Sequence, residues 1–340
     1  MRVKLEDVCI SASSNLAQKD VVGLEGNYPI YGAAGYIGNV DFYHQEKEYV
    51  AVVKDGAGVG RTVLLPAKSS VIGTLQYLLP KENILPEFLL YVVQSMHLEK
   101  YYSGATIPHI YFRDYKNEEF DLPNINMQRD IISVLNKVNN IIKQKKMQIS
   151  LLDDLIKSRF VKLFGDPILN DKCFETILGK NFFKLSNGKA VADEKRITSG
   201  IPAYGGNGIS WYTDEVLYDG DTLVVGRVGF QSGNVHLAKG PLWVTDNAMY
   251  ISNIFVDNYN LIFLCALMDH IDFTRYQDAG DLKKITQKPF MQMEFIFPPL
   301  ELQNQYSSFA EKTGKAKAVI QKSIDEMQVL NKSLIQKYFV

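Results

Sequence analysis

The chain has 340 residues with 37 Lys+Arg against 38 Asp+Glu and 46% hydrophobic residues, which excludes a polycationic wrapper, an acidic tail and a disordered segment and allows about two domains. The most apolar run, Leu261 to Met268, falls far short of the ~20 residues of a membrane helix, and no signal core follows the N-terminal charges, so a cytoplasmic protein with no membrane contact is expected. Cys9, Cys173 and Cys265 are too few and too scattered for a disulfide framework or a metal knuckle.

Residues 1–123 carry short runs of Val, Ile, Tyr and Phe broken by Gly, Asn, Asp and Pro, the pattern of a mostly antiparallel sheet with long loops. Within it Val50 to Val53 reads as a strand, followed by the glycine-rich segment Lys54 to Arg61. The spacing of Phe88, Leu89, Val92, Val93 and Met96 predicts a helix over Pro86 to Tyr101, with Pro86 suited to its first turn. Residues 124–165 form a long helix: Ile131, Leu135, Val138, Ile142, Ile149, Leu152 and Ile156 step by threes and fours, interrupted at Lys145, with no internal Pro or Gly.

Residues 166–298 then repeat the first pattern. Tyr31-Gly32-Ala33-Ala34-Gly35 returns as Tyr204-Gly205-Gly206-Asn207-Gly208, and Val50 to Val53 as Thr222 to Val225, which aligns Lys54 with Gly226. Phe120-Asp121-Leu122-Pro123 returns as Phe295-Ile296-Phe297-Pro298, and Tyr259 to His270 is the counterpart of the first short helix. A second long helix occupies 299–340, with Ala310, Ile320, Ile324, Met327, Leu334 and Tyr338 on its stripe, weakened by Gly314 and Lys317. Order and spacing persist along the whole chain, which marks a tandem duplication. Each long helix measures roughly 60 Å at 1.5 Å per residue, about twice the face of a small domain, so the two are expected to pack on each other. A pseudo-two-fold repeat makes them antiparallel. The fold class is therefore α+β: two β-rich domains joined by two long antiparallel coiled-coil helices.

Catalytic chemistry is not encoded in any pattern here. Asp55-Gly56-Ala57-Gly58-Val59-Gly60-Arg61-Thr62 superficially suggests a phosphate loop, but Asp55 replaces its first glycine, Arg61 its lysine, and a β-like run follows where a helix should start. Phe297-Pro298-Pro299-Leu300 lacks the polar first residue of an amino-methyltransferase loop. His44, His97, His109, His236 and His270 have no metal-ligand spacing, and no metal is expected. Asp153-Asp154 lies on a helix as a solvated face. A non-catalytic chain with no cofactor of its own is the reading.

The doubled order of β-rich domain, apolar-Pro segment, Gln and long helix resembles the specificity subunit of type I restriction-modification systems over the whole chain. The residues carrying it are Phe120-Asp121-Leu122-Pro123 with Gln128 and Ile131-Ile132, Phe295-Ile296-Phe297-Pro298-Pro299 with Gln303, the glycine-rich turn after Val53, and Gly104 to Ile110, which departs to Ala279 to Ile285 in the second copy. The resemblance implies two target recognition domains, 1–123 and 166–298, each reading one half of an asymmetric split site in double-stranded DNA, with the helices fixing the gap. It also implies two DNA methyltransferase subunits that carry S-adenosylmethionine, and restriction/translocase subunits. Pro123, Gln128, Phe164, Pro298 and Gln303 are the expected partner-binding positions.

Base reading needs Arg, Lys, Asn or Gln on loops, and Tyr hydroxyls reach phosphates. The choices are Tyr31, Tyr36, Lys54, Arg61, Gln76, His109 and Arg113 in the first domain and Tyr204, Asn207, Trp211, Arg227, Gln231, Lys283 and Lys284 in the second. Core packing competes for the tyrosines, a solvated surface for the cations and a simple turn for His109. Two other readings stay open: the specificity chain of a fused nuclease-methyltransferase of the type IIB kind, and a two-headed protein-interaction scaffold. Neutrality is itself an average, since 1–123 holds 11 Lys+Arg against 15 Asp+Glu and 166–298 holds 12 against 16, while both helices are net positive.

Overall fold

A computed structural model describes all residues except 57, 103–107, 279, 281–282 and 340. The chain forms two compact units, 1–147 with 321–340, and 148–320. Each unit therefore contains one β-rich domain and a stretch of both long helices. The two long helices, Ile125–Phe164 and Leu300–Phe339, are each divided between the units.

Besides a two-stranded sheet of Arg2–Lys4 with Glu119–Asp121, the first unit has strands β1 (Cys9–Ser13), β2 (Tyr28–Gly32), β3 (Gly35–Val40), β4 (Tyr49–Val53), β5 (Thr62–Leu65), β6 (Ser70–Val71) and β7 (Leu75–Pro80). They make a four-stranded antiparallel sheet β1-β7-β4-β5 and a three-stranded sheet β3-β2-β6 in which β2 and β6 run parallel. Every residue of β4 is buried. That explains its unbroken apolar run, because a strand covered on both faces has no solvent side to alternate with. Val50 and Val52 face the helical layer, while Tyr49, Ala51 and Val53 join Tyr77 and Leu75 on the other face. The short helix α1 (Pro86–Ser95) begins with Pro in its first turn as expected. It stops short of Tyr101: His97 takes φ 51° and a separate 3-10 turn, Leu98–Tyr101, follows. The long helix α2 spans Ile125–Phe164.

The second unit repeats this plan with β8 (Phe183–Asn187), β9 (Ile201–Gly205), β10 (Gly208–Thr213), β11 (Thr222–Gly226), β12 (Val235–Ala238), β13 (Trp243–Val244) and β14 (Ala248–Ile254). Its sheets run β8-β14-β11-β12 and β10-β9-β13, the same orders and the same single parallel pair. Helix α3 (Leu261–Ile271) is capped by Asn260, whose Oδ1 accepts from the Ile262 and Phe263 amides, and α4 spans Leu300–Phe339. The duplication thus holds strand by strand.

Within each unit the two long helices pack antiparallel. In the first, Ile131, Ile132 and Leu135 join Phe339 and Leu334 in one core, and Asn331 Nδ2 donates to Asn139 Oδ1 at 3.1 Å. In the second, Phe164 packs on Phe263 at 4.6 Å and on Tyr306 at 5.8 Å, and Lys317 pairs with Asp153. The expected seam residues Ile131, Leu135, Val138 and Ile324 are buried, and Ile142, Ile149, Leu152, Ile156, Ile320, Met327 and Leu334 are half-buried. Lys317, read as a flaw in the stripe, is neutralised by Asp153. The Asn139–Asn331 pair is of the kind that specifies helix register at some cost in stability.

Gln128 and Gln303 close the helix entries. Gln128 is fully buried: Oε1 accepts from the Leu85 amide at 2.9 Å, and Nε2 donates to the Asn83 and Pro123 carbonyls at 3.0 and 2.9 Å. Gln303 does the same with the Asn260 amide and the Asn258 and Pro298 carbonyls at 2.9, 3.3 and 2.8 Å. Both side chains, expected at a partner surface, are spent inside their own units. Phe164 and Pro298 are likewise buried, and only Pro123 of that group is half-exposed.

Candidate nucleic-acid interface

Three segments converge at one edge of each unit: the tip of the β2–β3 or β9–β10 hairpin, the glycine-rich loop, and a segment after the short helix. In the first unit the loop joins β4 to β5 as a hairpin, so no helix follows it and no phosphate loop exists. Gly60 N–H donates to Val53 O at 2.9 Å and Val53 N–H to Arg61 O at 2.8 Å. Gly233 to Gly226 and Gly226 to Asn234 repeat these bonds at 2.8 and 2.9 Å. The true register therefore aligns Val53 with Gly226 and Lys54 with Arg227, one residue from the alignment read off the sequence. Gly226 closes a strand rather than opening the loop.

The third segment clamps the loop in both units. Gly56 N–H donates to Pro108 O and Ile110 N–H to Lys54 O, both at 3.0 Å. Gly229 to Lys283 and Ile285 to Arg227 match them at 2.8 and 2.9 Å. Asp55 bridges His109 and Val228 bridges Lys284. A cation-bearing residue thus occupies the loop base in each unit, Lys54 and Arg227, and an imidazole or ammonium the clamp, His109 and Lys284. The hairpin tips are tied in as well: Arg61 Nη2 donates to Ala33 O at 2.8 Å, and His236 Nε2 to Gly206 O at 3.1 Å. Of the segment Gly104 to Ile110 singled out in the sequence, 104–107 lie outside the described residues, as do 279, 281 and 282 of its counterpart.

Gly60 and Gly233 are glycine for two reasons. Their φ values are 86° and 94°, and a Cβ at Gly60 would stand 2.9 Å from the Glu99 amide nitrogen, one at Gly233 2.8 Å from Phe273 carbonyl carbon and Thr274 nitrogen. Neither backbone neighbour can yield. Gly60→Ala and Gly233→Ala are each expected to destabilise by more than about 1 kcal/mol, read as a lower urea midpoint at unchanged slope; an unshifted midpoint would refute the close approach.

Around this frame the first unit sets His109 between two partners, with Nδ1 3.0 Å from Asp55 Oδ1 and Nε2 2.9 Å from Tyr111 Oη. The Arg113 guanidinium lies 4.5 Å above the Tyr111 ring. Tyr36 is 61% exposed and its hydroxyl donates to Asn39 Oδ1 at 3.2 Å. Tyr31 is half-buried against Tyr36 and the β4 core, and burial pushes its phenol pKa up. Gln76 is a correction: it is buried, its Nε2 donates to Ser11 Oγ at 2.8 Å and its Oε1 accepts from Tyr115 Oη at 3.0 Å. Alternation along β7 turns it inward, where no base edge reaches.

In the second unit Asn207, Trp211 and Gln231 line one cleft of about 570 Å³ together with Arg196, Asn247 and Phe230. Arg196 stacks over Trp211 at 5.3 Å and pairs with Asp193 at 2.8 Å. Arg227 Nη1 donates to Asp246 O at 3.3 Å, Gln231 accepts from Asn234, Lys283 and Lys284 are exposed, and Tyr204 packs half-buried beside Val224 and Tyr250. Sequence reasoning missed Arg196, Tyr111 and Phe230. Phe230 carried a signal in its place inside a glycine-rich loop, where an aromatic has no core to join. Among the described residues no group of three His, Cys, Asp or Glu is placed to hold a metal, and no helix is long and apolar enough to cross a membrane.

Comparison with known proteins converges on one family. The Type I restriction modification DNA specificity domain matches residues 1–151 and 174–328. The chain is 21% identical over 196 residues to the Type I restriction enzyme EcoprrI specificity subunit of Escherichia coli, covering 55% of this chain and 48% of that one. It is 26% identical over 131 residues to the MjaVIII specificity subunit of Methanocaldococcus jannaschii, covering 37% and 30%. These matches span half or less of the relatives' own length. The crystal structure of a type I restriction-modification S subunit from M. genitalium has the same fold, with TM-score 0.70, 17% identity and coverage of 100% of this chain and 96% of that one. A chain from a structure of complex assembly and conformational transition in the type I R-M system gives TM-score 0.60 at 13% identity, covering 99% and 97%. With the family profile matching both repeats and the fold agreeing end to end, the chain belongs to the type I restriction-modification DNA specificity family.

Proposed function

We propose that each unit reads one half of a bipartite DNA site through its hairpin tip, glycine-rich loop and clamp, and that the paired long helices set the gap between the halves. The observation that carries this is the repetition of one backbone frame with different side chains on it. Lys54 and Arg227, or His109 and Lys284, stand at equivalent positions, yet the first unit carries Asp55, His109 and Tyr111 on its frame and the second Val228, Lys284 and the Trp211 cleft. A duplicated frame with divergent contacts suits an asymmetric target whose half-sites differ.

The helix pair supports the ruler. Advancing 14 residues along α2, from Asn139 to Asp153, retreats 14 along α4, from Asn331 to Lys317, so the register is the same in each unit. Beside the seam of the first unit α2 leaves Met127, Val134 and Ile141 exposed at seven-residue spacing, an apolar strip that methyltransferase subunits, with S-adenosylmethionine bound to them, would cover. Restriction subunits would join that assembly in the cytoplasm. The chain itself performs no bond chemistry on this reading and selects the base that its partner flips and modifies.

Methylome sequencing of a host with and without the gene tests the proposal: a split motif of fixed gap, lost on deletion, is expected, and an unchanged methylome together with no sequence enrichment in gel shifts of the assembled complex would refute it. Since both β-rich domains carry more acid than base, phosphate grip rests on few residues. Substituting Lys283 and Lys284 together by alanine is expected to weaken binding to all sequences alike and to reduce the salt slope of log K by about 2, measured by titration at several salt concentrations. An unchanged slope would place both lysines off the backbone.

A further inference from the structure

Phe230 is 88% exposed, although backbone hydrogen bonds tie its loop down on both sides of it. Gly229 N–H is bonded to Lys283 O at 2.8 Å, Ser232 N–H to Gly229 O at 3.0 Å and Gly233 N–H to Gly226 O at 2.8 Å, so the ring projects from a fixed support. Arg227, Lys283 and Lys284 stand on the same loop and its clamp, and Asn207 and Gln231 share the adjoining cleft. In the register set by Gly56–Pro108 and Gly229–Lys283, the residue of the first repeat at this position is Ala57.

A large apolar ring held in water on a loop whose base and clamp carry Arg227, Lys283 and Lys284 points to a polyanion with an apolar feature on its inner surface. In duplex DNA the base edges offer one such feature, the C5 methyl of thymine, and it lies in the major groove. The major groove, about 12 Å wide, admits a two-stranded ribbon of the kind β9 and β10 form beside this loop, whereas the minor groove is only about 6 Å wide. Asn207 and Gln231 beside it are amides of the kind that read base edges in that groove. We propose that Phe230 is a specificity-determining residue of the second unit, packing on a thymine methyl in its half-site. This rests on the DNA-reading function above and adds a base identity and an asymmetry between the repeats.

The test uses the chain assembled with its methyltransferase subunits and duplexes carrying its methylated site, each thymine replaced in turn by deoxyuridine, which lacks only the methyl group. At one position, in one half-site, the replacement is expected to weaken binding about fourfold, the worth of burying one methyl. Phe230→Ala is expected to weaken binding of the unmodified site roughly tenfold and to abolish the effect of deoxyuridine at that position alone. Phe255→Ala, another exposed ring of the second unit, should leave both affinities unchanged. Specific binding with no position at which the two changes are coupled, or a site without thymine in either half, overturns the assignment of Phe230 and leaves the DNA-reading function standing. Loss of all sequence preference by the unaltered complex overturns that function and this inference with it.

Discussion

Gln128→Ala is expected to lower the stability of the first unit by about 2–3 kcal/mol, and Gln303→Ala that of the second by a similar amount. Each side chain is wholly buried and satisfies one amide and two carbonyls where the chain turns from sheet into long helix. Alanine removes three hydrogen bonds and strands polar groups that water reaches poorly, and the cost of an unsatisfied buried group exceeds the net worth of the bond it made. Urea unfolding provides the measurement, with Gln144→Ala, on the exposed face of α2, as a control expected to shift stability by less than about 0.5 kcal/mol. A Gln128→Ala midpoint as close to the parent as that control would mean water replaces the staple.

The two glutamines also show what sequence can and cannot reveal. Their position after an apolar-Pro segment, 175 residues apart, is plain in the chain, and so are the duplication, the helical stripe and the glycine-rich loops, because all are matters of period and order. What a polar side chain touches is not periodic. Gln128 and Gln303 look like surface ligands until their partners are seen, and Gln76 looks like a base reader until β7 turns it inward against Ser11 and Tyr115. The one-residue slip between repeats has the same root. Gly226 has the composition of a loop and the hydrogen bonds of a strand end, and only its bonds to Gly233 and Asn234 decide the matter. Phe230 fell between categories, since aromatic residues are usually core.

If the paired helices act as the proposed spacer, inserting four helical residues after Gln144 in α2 together with four after Glu326 in α4 lengthens the unspecified gap of the proposed split DNA site by about two base pairs and leaves both half-sites unchanged. Four residues add about 6 Å of helix, and duplex DNA rises about 3.4 Å per base pair. The antiparallel register in which Asn139 meets Asn331 and Asp153 meets Lys317 places Gln144 opposite Glu326, and both are exposed. Insertion into α2 alone is a different perturbation. It offsets the two helices so that the Asn139–Asn331 and Asp153–Lys317 pairs cannot both form, leaving a polar side chain against an apolar neighbour in the seam, and the expected outcome is a less stable chain rather than a longer gap. Methylome sequencing of hosts carrying each insertion reads gap and half-sites together. A double insertion that altered a half-site and kept the original gap would remove the helices from the role of spacer and place the gap in the partner subunits.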